Sequence, residues 1–392
     1  ATDLISGVSG GSIVSAYYAA FGREGLPRFE SEFLRQDFQH GLVSLLFHPG
    51  SLHELTSPWF GRSNLLQRQL DGLYRGMTFA ELEARPRHPQ LIVTATDLTR
   101  GNGFEFTWDQ FALICSDLGQ VPLSFAVAAS SAVPIALSPL TVKNFASQCP
   151  DEVKAQVARS AAAGASGVAD YRQRLYRAQV NEYLDSSVRP YIHLVDGGLS
   201  DNLGVQRLLD RALLRGGLRQ TFREVDIPPG AVRKVVLVVV NAERDPTRNL
   251  DLSDEVPGVF DVADALLFGT GARATHETQE FLQDVMQAWH KQVQSHGQAG
   301  GTDVFAPDAQ IHVITVNLRD APAQHRSQLL RVATAFSIPD QEVSALIEAG
   351  RQVLLDSPEF KRLVQALNAR IVPAAPGVAG PLASALHGVL AA

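Results

Sequence analysis

The feature that most constrains this chain is five residues long: Gly7-Val8-Ser9-Gly10-Gly11, a G-x-S-x-G sequence. It follows directly on a strand-like segment containing Leu4 and Ile5 and runs directly into Ile13 to Phe21, whose apolar and small residues read as a buried helix. A strand that turns at once into a helix leaves one residue at the corner, and a serine there projects its hydroxyl from a sharp turn. Small residues at Gly7 and Gly11 let strand and helix approach closely enough for such a turn. The helix N-terminus beside the serine offers unpaired N–H groups and the positive end of the helix dipole, where an oxyanion would develop. Ser9 is therefore the candidate nucleophile, with Gly7, Gly10 and Gly11 as elbow residues and candidate oxyanion donors. The plain alternative is a glycine-rich turn with an ordinary serine.

A serine alone is a weak nucleophile and needs a base. In a Ser-Asp-His hydrolase, chain order puts a histidine late, where His276, His290, His296 and His312 stand. None of them sits in a convincing strand-end loop. His312 shares a face with Ile314 and Val316 in the alternating segment Ile311 to Leu318, and His193 reads as a strand residue. A different base stands at the end of the strand Ile192 to Val195, in the run Val195 to Gly204 (VDGGLSDNLG). Asp196 is followed by Gly197 and Gly198, so its carboxylate has no bulky neighbour and is free to approach another loop. Asn202 is placed to hold that loop through side-chain to backbone bonds. The plain alternative is an Asp-Gly turn, which the dipeptide forms commonly.

Around these two loops the chain alternates strand and helix signals. Strands are expected at Gln90 to Ala95, Phe104 to Thr107, Ile192 to Val195, Lys234 to Asn241 and Ile311 to Leu318, with Lys234 to Asn241 (KVVLVVVN) buried on both faces. Residues 28 to 48 look helical and are closed by Pro49-Gly50, Ser124 to Ala132 is a small-residue helix stopped by Pro134, and Gln341 to Leu367 is helical. An Ala/Arg/Asp/Glu-rich stretch over about 148–188 reads as an inserted helical pair, interrupted by Gly164 to Gly167. The pattern implies an α/β fold with a parallel or mixed sheet and helices on its faces. One domain is expected over 1–370, with an Ala/Gly/Pro-rich tail at 371–392.

Composition narrows the function classes. A net charge of −7, from 34 Lys plus Arg against 41 Asp plus Glu, with no long basic run, argues against nucleic acid as a partner. Two cysteines, Cys115 and Cys149, exclude a disulfide-rich scaffold and a zinc site built mainly of thiolates. The longest strongly apolar run, Val235 to Val240, falls far short of the roughly 20 residues of a spanning helix. The expectation is a soluble or peripheral membrane protein. No EF-hand loop or helical His pair appears, so no metal and no cofactor is expected. Gly269 to Ala274 is only a weak dinucleotide-like match that follows no clear strand.

The pair GVSGGS and VDGGLSDNLGV resembles the patatin-like phospholipases, in which the serine of G-x-S-x-G and the aspartate of D-G-G or D-G-A form a catalytic dyad without histidine. ATDLTRG (Ala95 to Gly101), AVAASSAVPIALSPL (Ala126 to Leu140), VNAERD (Val240 to Asp245) and IEAGRQVL (Ile347 to Leu354) also look like pieces of bacterial members, in the family's order. The resemblance implies a three-layer α/β/α sandwich with a mostly parallel central sheet, Ser9 as nucleophile, Asp196 as base and Gly197 and Gly198 as the base loop. It also implies a G-G-G-x-R/K-G oxyanion loop upstream of the nucleophile. Because Ala1 opens on a strand-like segment without a methionine, that loop is expected to be missing from this sequence.

Lipid or phospholipid esters are the substrates the resemblance implies. Leu42, Leu45, Leu46, Phe47, Trp59 and Phe60, clustered around a Pro/Gly turn, suit either transient contact with a membrane surface or core packing. Two other readings remain beside the Ser-Asp hydrolase: a Ser-His-Asp carboxylesterase, and a catalytically inactive lipid-binding protein on the same fold.

Overall fold

In the computed structural model of the chain, residues 2–151, 168–224, 227–242, 254–256, 258, 265, 270–295 and 303–367 are described. The first half runs β1 (Leu4–Val8), α1 (Gly10–Phe21), α2 (Phe38–Phe47), α3 (Pro49–Glu54), α4 (Arg62–Tyr74), β2 (Gln90–Asp97), β3 (Gly103–Phe106), α5 (Leu123–Ser130) and β4 (Leu140–Lys143). The second half continues with α6 (Val168–Leu184), β5 (Tyr191–Val195), α7 (Gln206–Leu214), β6 (Val232–Asn241), α8 (Thr270–Gln294), β7 (Phe305–Asn317), α9 (Asp340–Asp356) and α10 (Pro358–Ala366). Short helical turns connect several of these. This is an α/β fold.

Among the described residues the strands lie in two sheets rather than the one central sheet expected. Five form a sheet in the order β1-β2-β5-β4, with β3 also paired to β2, while β6 and β7 pair separately. Pairing is mixed: β1 runs parallel to β2, and the longest ladder, β6 on β7, is parallel. β3 and β5 run antiparallel to β2, and β4 antiparallel to β5. The β2–β3 connection is a short turn through Gly101 at φ 69°, and a turn that tight can only return the chain antiparallel.

Among the described residues three cores hold these layers. In the first, α1 presents Ile13, Ala16, Tyr17 and Ala20 at helical spacing, packed with Leu66 and Leu70 of α4, Ala126 to Ala129 of α5, and Val93 and Ala95 of β2. The all-small face of α5 is what lets that helix sit directly on β2, because methyl side chains keep the two backbones close. Tyr74 is fully buried in the same core and donates its hydroxyl to the Ile13 carbonyl oxygen at 3.0 Å, so its polar atom is satisfied. In the second core, Leu209 of α7 and Leu282, Val285, Met286 and Trp289 of α8 cover Val239 of β6. In the third, Ile314 and Val316 of β7 meet Ala349 and Val353 of α9 and Phe360 and Leu363 of α10.

Several expectations change. β6 is not buried on both faces: Val235, Leu237 and Val239 turn toward the second core, while Val236, Val238 and Val240 are exposed. A period-2 strand can be uniformly apolar yet covered on one side only, since α9 and α10 reach β7 and stop there. The helix expected over 28–48 is broken, with Asp37 capping a new start by accepting from His40 N at 2.9 Å. Pro49 opens α3 instead of closing a helix, because it occupies the first turn, where no N–H is missed. The later strand begins at Phe305 rather than Ile311. The second half of the expected insertion is α6, whereas residues 152–167, the tail at 371–392 and His296 lie outside the described residues. Cys115 and Cys149 form a disulfide with Cα atoms 5.6 Å apart.

Candidate active site

Strand β1 delivers Ser9 to a corner with φ 50° and ψ −128°, a conformation that non-glycine residues seldom adopt and that costs about 1–3 kcal/mol. The corner is possible because Gly7 has no side chain: a Cβ there would stand 2.6 Å from Ser12 Cα and 2.8 Å from the Gly11 carbonyl oxygen. Gly10 and Gly11 are different, since a Cβ on either meets nothing within 4 Å. Gly11 is thus not needed for strand–helix approach, contrary to the expectation. Its smallness leaves open space at the N-terminus of α1.

Strand β5 delivers Asp196 to the same place. Ser9 Oγ donates to Asp196 Oδ2 at 2.7 Å, joining residues 187 apart in sequence. Asp196 Oδ1 accepts from Gly198 N at 2.8 Å, so both carboxylate oxygens are engaged. Gly197 is forced by contact, because a Cβ on it would collide with the Thr94 carbonyl oxygen on β2. Asp196 is 8% exposed, and burial pushes its carboxyl up to about 6, against the hydrogen bonds from Ser9 and Gly198 that favour the ionised form. Such a group is ionised at neutral pH and is a stronger base than an ordinary aspartate.

The loop after Asp196 is held by a residue the sequence did not single out. Asp201, 2% exposed, accepts from Gly204 N at 3.0 Å and from Gln206 N at 2.8 Å, and burial pushes its carboxyl up to about 6 as well. Asn202 instead bonds Thr275 Oγ1 at 3.1 Å, side chain to side chain. The available signal was a carboxylate, Asp201, lying a few residues ahead of α7 and near the positive end of its dipole. Beneath the loop, the fully buried Asp97 at the end of β2 accepts from Arg189 Nη2 at 2.6 Å and from Tyr183 OH at 2.9 Å. Arg189 precedes β5, so this ion pair ties the strand that carries Asp196 to its neighbour β2.

No histidine joins this pair among the described residues. His193 Nδ1 lies 2.9 Å from Thr141 Oγ1, and His290 Nδ1 lies 2.7 Å from the Met286 carbonyl oxygen. His312 sits in β7, where burial pushes its imidazole below its ordinary value, and His276 is exposed on α8. Among the described residues, no group of three or more His, Cys, Asp and Glu could hold a metal ion, and no helix is long and apolar enough to cross a membrane.

The arrangement is a hydroxyl held by a buried carboxylate at a helix N-terminus, which suits acyl transfer through a covalent serine intermediate. Among known families, the model described as Patatin-like phospholipase matches residues 1–209. No curated protein and no solved structure matches the chain.

Proposed function

The chain belongs to the patatin-like phospholipase family, and from that premise we propose that it is a serine acyl hydrolase that cleaves carboxylic esters of lipids at Ser9, with Asp196 as general base. The observation that carries this reading is the 2.7 Å hydrogen bond from Ser9 Oγ to Asp196 Oδ2 at a strained elbow.

In the first step Asp196 takes the Ser9 hydroxyl proton as Oγ attacks the ester carbonyl carbon. The oxyanion that forms lies by the first turn of α1, where the N–H groups of Gly10 and Gly11 are the candidate donors within this chain. Collapse of the tetrahedral intermediate breaks the ester C–O bond, the departing alkoxide takes the proton from Asp196, and the acyl group remains on Ser9. Asp196 then deprotonates a water that attacks the acyl-enzyme, and the carboxylic acid leaves as the proton returns to Ser9 Oγ.

A Ser-His-Asp carboxylesterase would need a histidine at Ser9, and among the described residues the Ser9 hydroxyl bonds to Asp196 alone. Lipid or phospholipid esters are the substrate class, met in transient contact with a membrane surface. The test is hydrolysis of a short and a long acyl ester by the protein beside Ser9→Ala and Asp196→Asn, with a serine-directed fluorophosphonate. Turnover and labelling by the wild type, with both variants inactive, is the expected result. A folded wild type that neither turns over ester nor takes the label would overturn the reading and favour a lipid-binding role.

A further inference from the structure

Ser9 and Asp196 arrive on different strands, and one short stretch of chain bonds the backbone of both. Ser9 N donates to Ser130 Oγ at 2.9 Å, and Asp196 N donates to the Ala132 carbonyl oxygen at 3.0 Å. We propose that the C-terminal end of α5 and the residues just after it, acting through Ser130 and Ala132, form the brace that sets the nucleophile and the base in register, with Ser130 a positioning residue for the reaction.

The chemistry of the Ser130 hydroxyl fixes its direction. It has one proton, which it gives to the Thr94 carbonyl oxygen at 2.7 Å, so only its lone pairs remain for Ser9 N–H. Thr94 stands opposite Val8 in the β1–β2 ladder, and its carbonyl is the one against which Gly197 is pressed. Ser130 therefore joins the strand beneath the elbow, the elbow and the edge of the base loop through a single atom. It is completely buried, so solvent does not compete for these bonds.

The brace also accounts for how Ser9 holds a sparsely populated backbone. Its φ and ψ are the relative orientation of two rigid peptide planes. Ser130 pins the plane before Ser9 through the N–H. Ser12 pins the plane after it, since Ser12 N and Ser12 Oγ both donate to the Ser9 carbonyl oxygen, at 2.9 and 2.6 Å. With Ser9 N–H committed to Ser130, the elbow donors left for an oxyanion are those of Gly10 and Gly11.

The kinetic consequence rests on the hydrolase reading, whereas the structural one does not, and the experiment separates them. Ser130→Ala is compared with Ser124→Ala, which removes another fully buried hydroxyl from the same helix, one bonded to Asp71 and remote from the dyad. Ser130→Ala is expected to lower kcat about 10- to 100-fold with KM within about twofold and the pH midpoint of kcat unmoved. It should also speed hydrogen exchange at the Ser9 amide at least about tenfold, as loss of its acceptor requires. Ser124→Ala is expected to lower thermal stability while leaving kcat and Ser9 exchange as in the wild type. Wild-type kcat and wild-type Ser9 protection in Ser130→Ala, or an equal loss of both in Ser124→Ala, overturns the brace. If the wild type itself turns over no ester, the hydrolase reading falls and the Ser9 exchange comparison alone decides the brace.

Discussion

Gly197 lies so close against the Thr94 carbonyl oxygen that no side chain fits between them. The contact joins the residue immediately after Asp196 to β2, the strand beside the one that carries Ser9, so it sets how deeply the carboxylate reaches toward Ser9. Gly197→Ala must push the base loop away from β2 or bend β2 itself. We expect ester turnover to fall more than about 100-fold, since a displacement near 1 Å is enough for that loss. Stability should fall by about 1–3 kcal/mol, the usual cost of overpacking. Urea unfolding and a kcat measurement check both, and near-normal turnover in this variant would contradict the contact's role.

Asp196 gives two pH expectations of opposite value to the protein. As the proposed general base it must be ionised, so kcat/KM should rise with a single ionisation through about pH 6 and be flat above it. For stability the sign reverses. Its folded value lies above the unfolded one, so between about pH 4 and 6 the folded state holds a proton that the unfolded chain has lost, and stability declines as pH rises through that window. Asp196→Asn removes the buried charge. The variant should be more stable than wild type at pH 7.5, by about 3 kcal/mol from a shift near two units, and should lose that advantage by pH 4. Thermal melts at the two pH values decide it.

How far the sequence reached follows from the range of each interaction. Ser9 and Asp196 were legible because each carries its reason locally: a glycine on the crowded side of the serine, and glycines after the aspartate. Ser130 was not, because a serine inside AVAASSA reads only as one more small residue suited to close packing. Its bonds to Thr94 and Ser9 exist through the tertiary placement of α5 on β2. The open face of β6 was missed for a related reason. An unbroken apolar run says a strand is apolar on both sides but not how far the neighbouring helices extend. Pro49 misled because a proline ends one helix and begins another equally well, and only the extended His48 before it distinguishes the two.

The ion pair of Arg189 with Asp97 should be costly to break from one side. Arg189 is 9% exposed and Asp97 fully buried, so Arg189→Met leaves a carboxylate with Tyr183 as its remaining side-chain donor. We expect a loss of about 3–5 kcal/mol in denaturant unfolding. Converting both partners together, in Asp97→Asn with Arg189→Met, should recover part of that loss, because it is the uncompensated charge that is expensive. A double variant no better than the single one would show that packing of the arginine stem, rather than charge, is what matters.

The exposed apolar residues proposed to meet a membrane surface can be probed apart from the chemistry. Trp59 is 89% exposed and Phe47 69% exposed, whereas Leu42 packs against the first core, so the apolar cluster read from the sequence divides between surface and interior. The surface part is linked to the dyad: Arg62, just beyond Trp59, donates from Nη2 to the Ile135 carbonyl oxygen at 2.7 Å, and exposed Ile135 follows closely on Ala132, which holds Asp196. An indole that inserts into the headgroup boundary contributes on the order of 1–2 kcal/mol from its buried apolar area. Trp59→Ala should therefore weaken binding to phospholipid vesicles about tenfold, measured by co-sedimentation, and slow hydrolysis of vesicle-borne ester in proportion. Hydrolysis of a short soluble ester should be unchanged, because Trp59 touches neither Ser9 nor Asp196. Equal loss on both substrates would place Trp59 in the fold rather than at a membrane surface, and no loss on either would remove this face as the docking side.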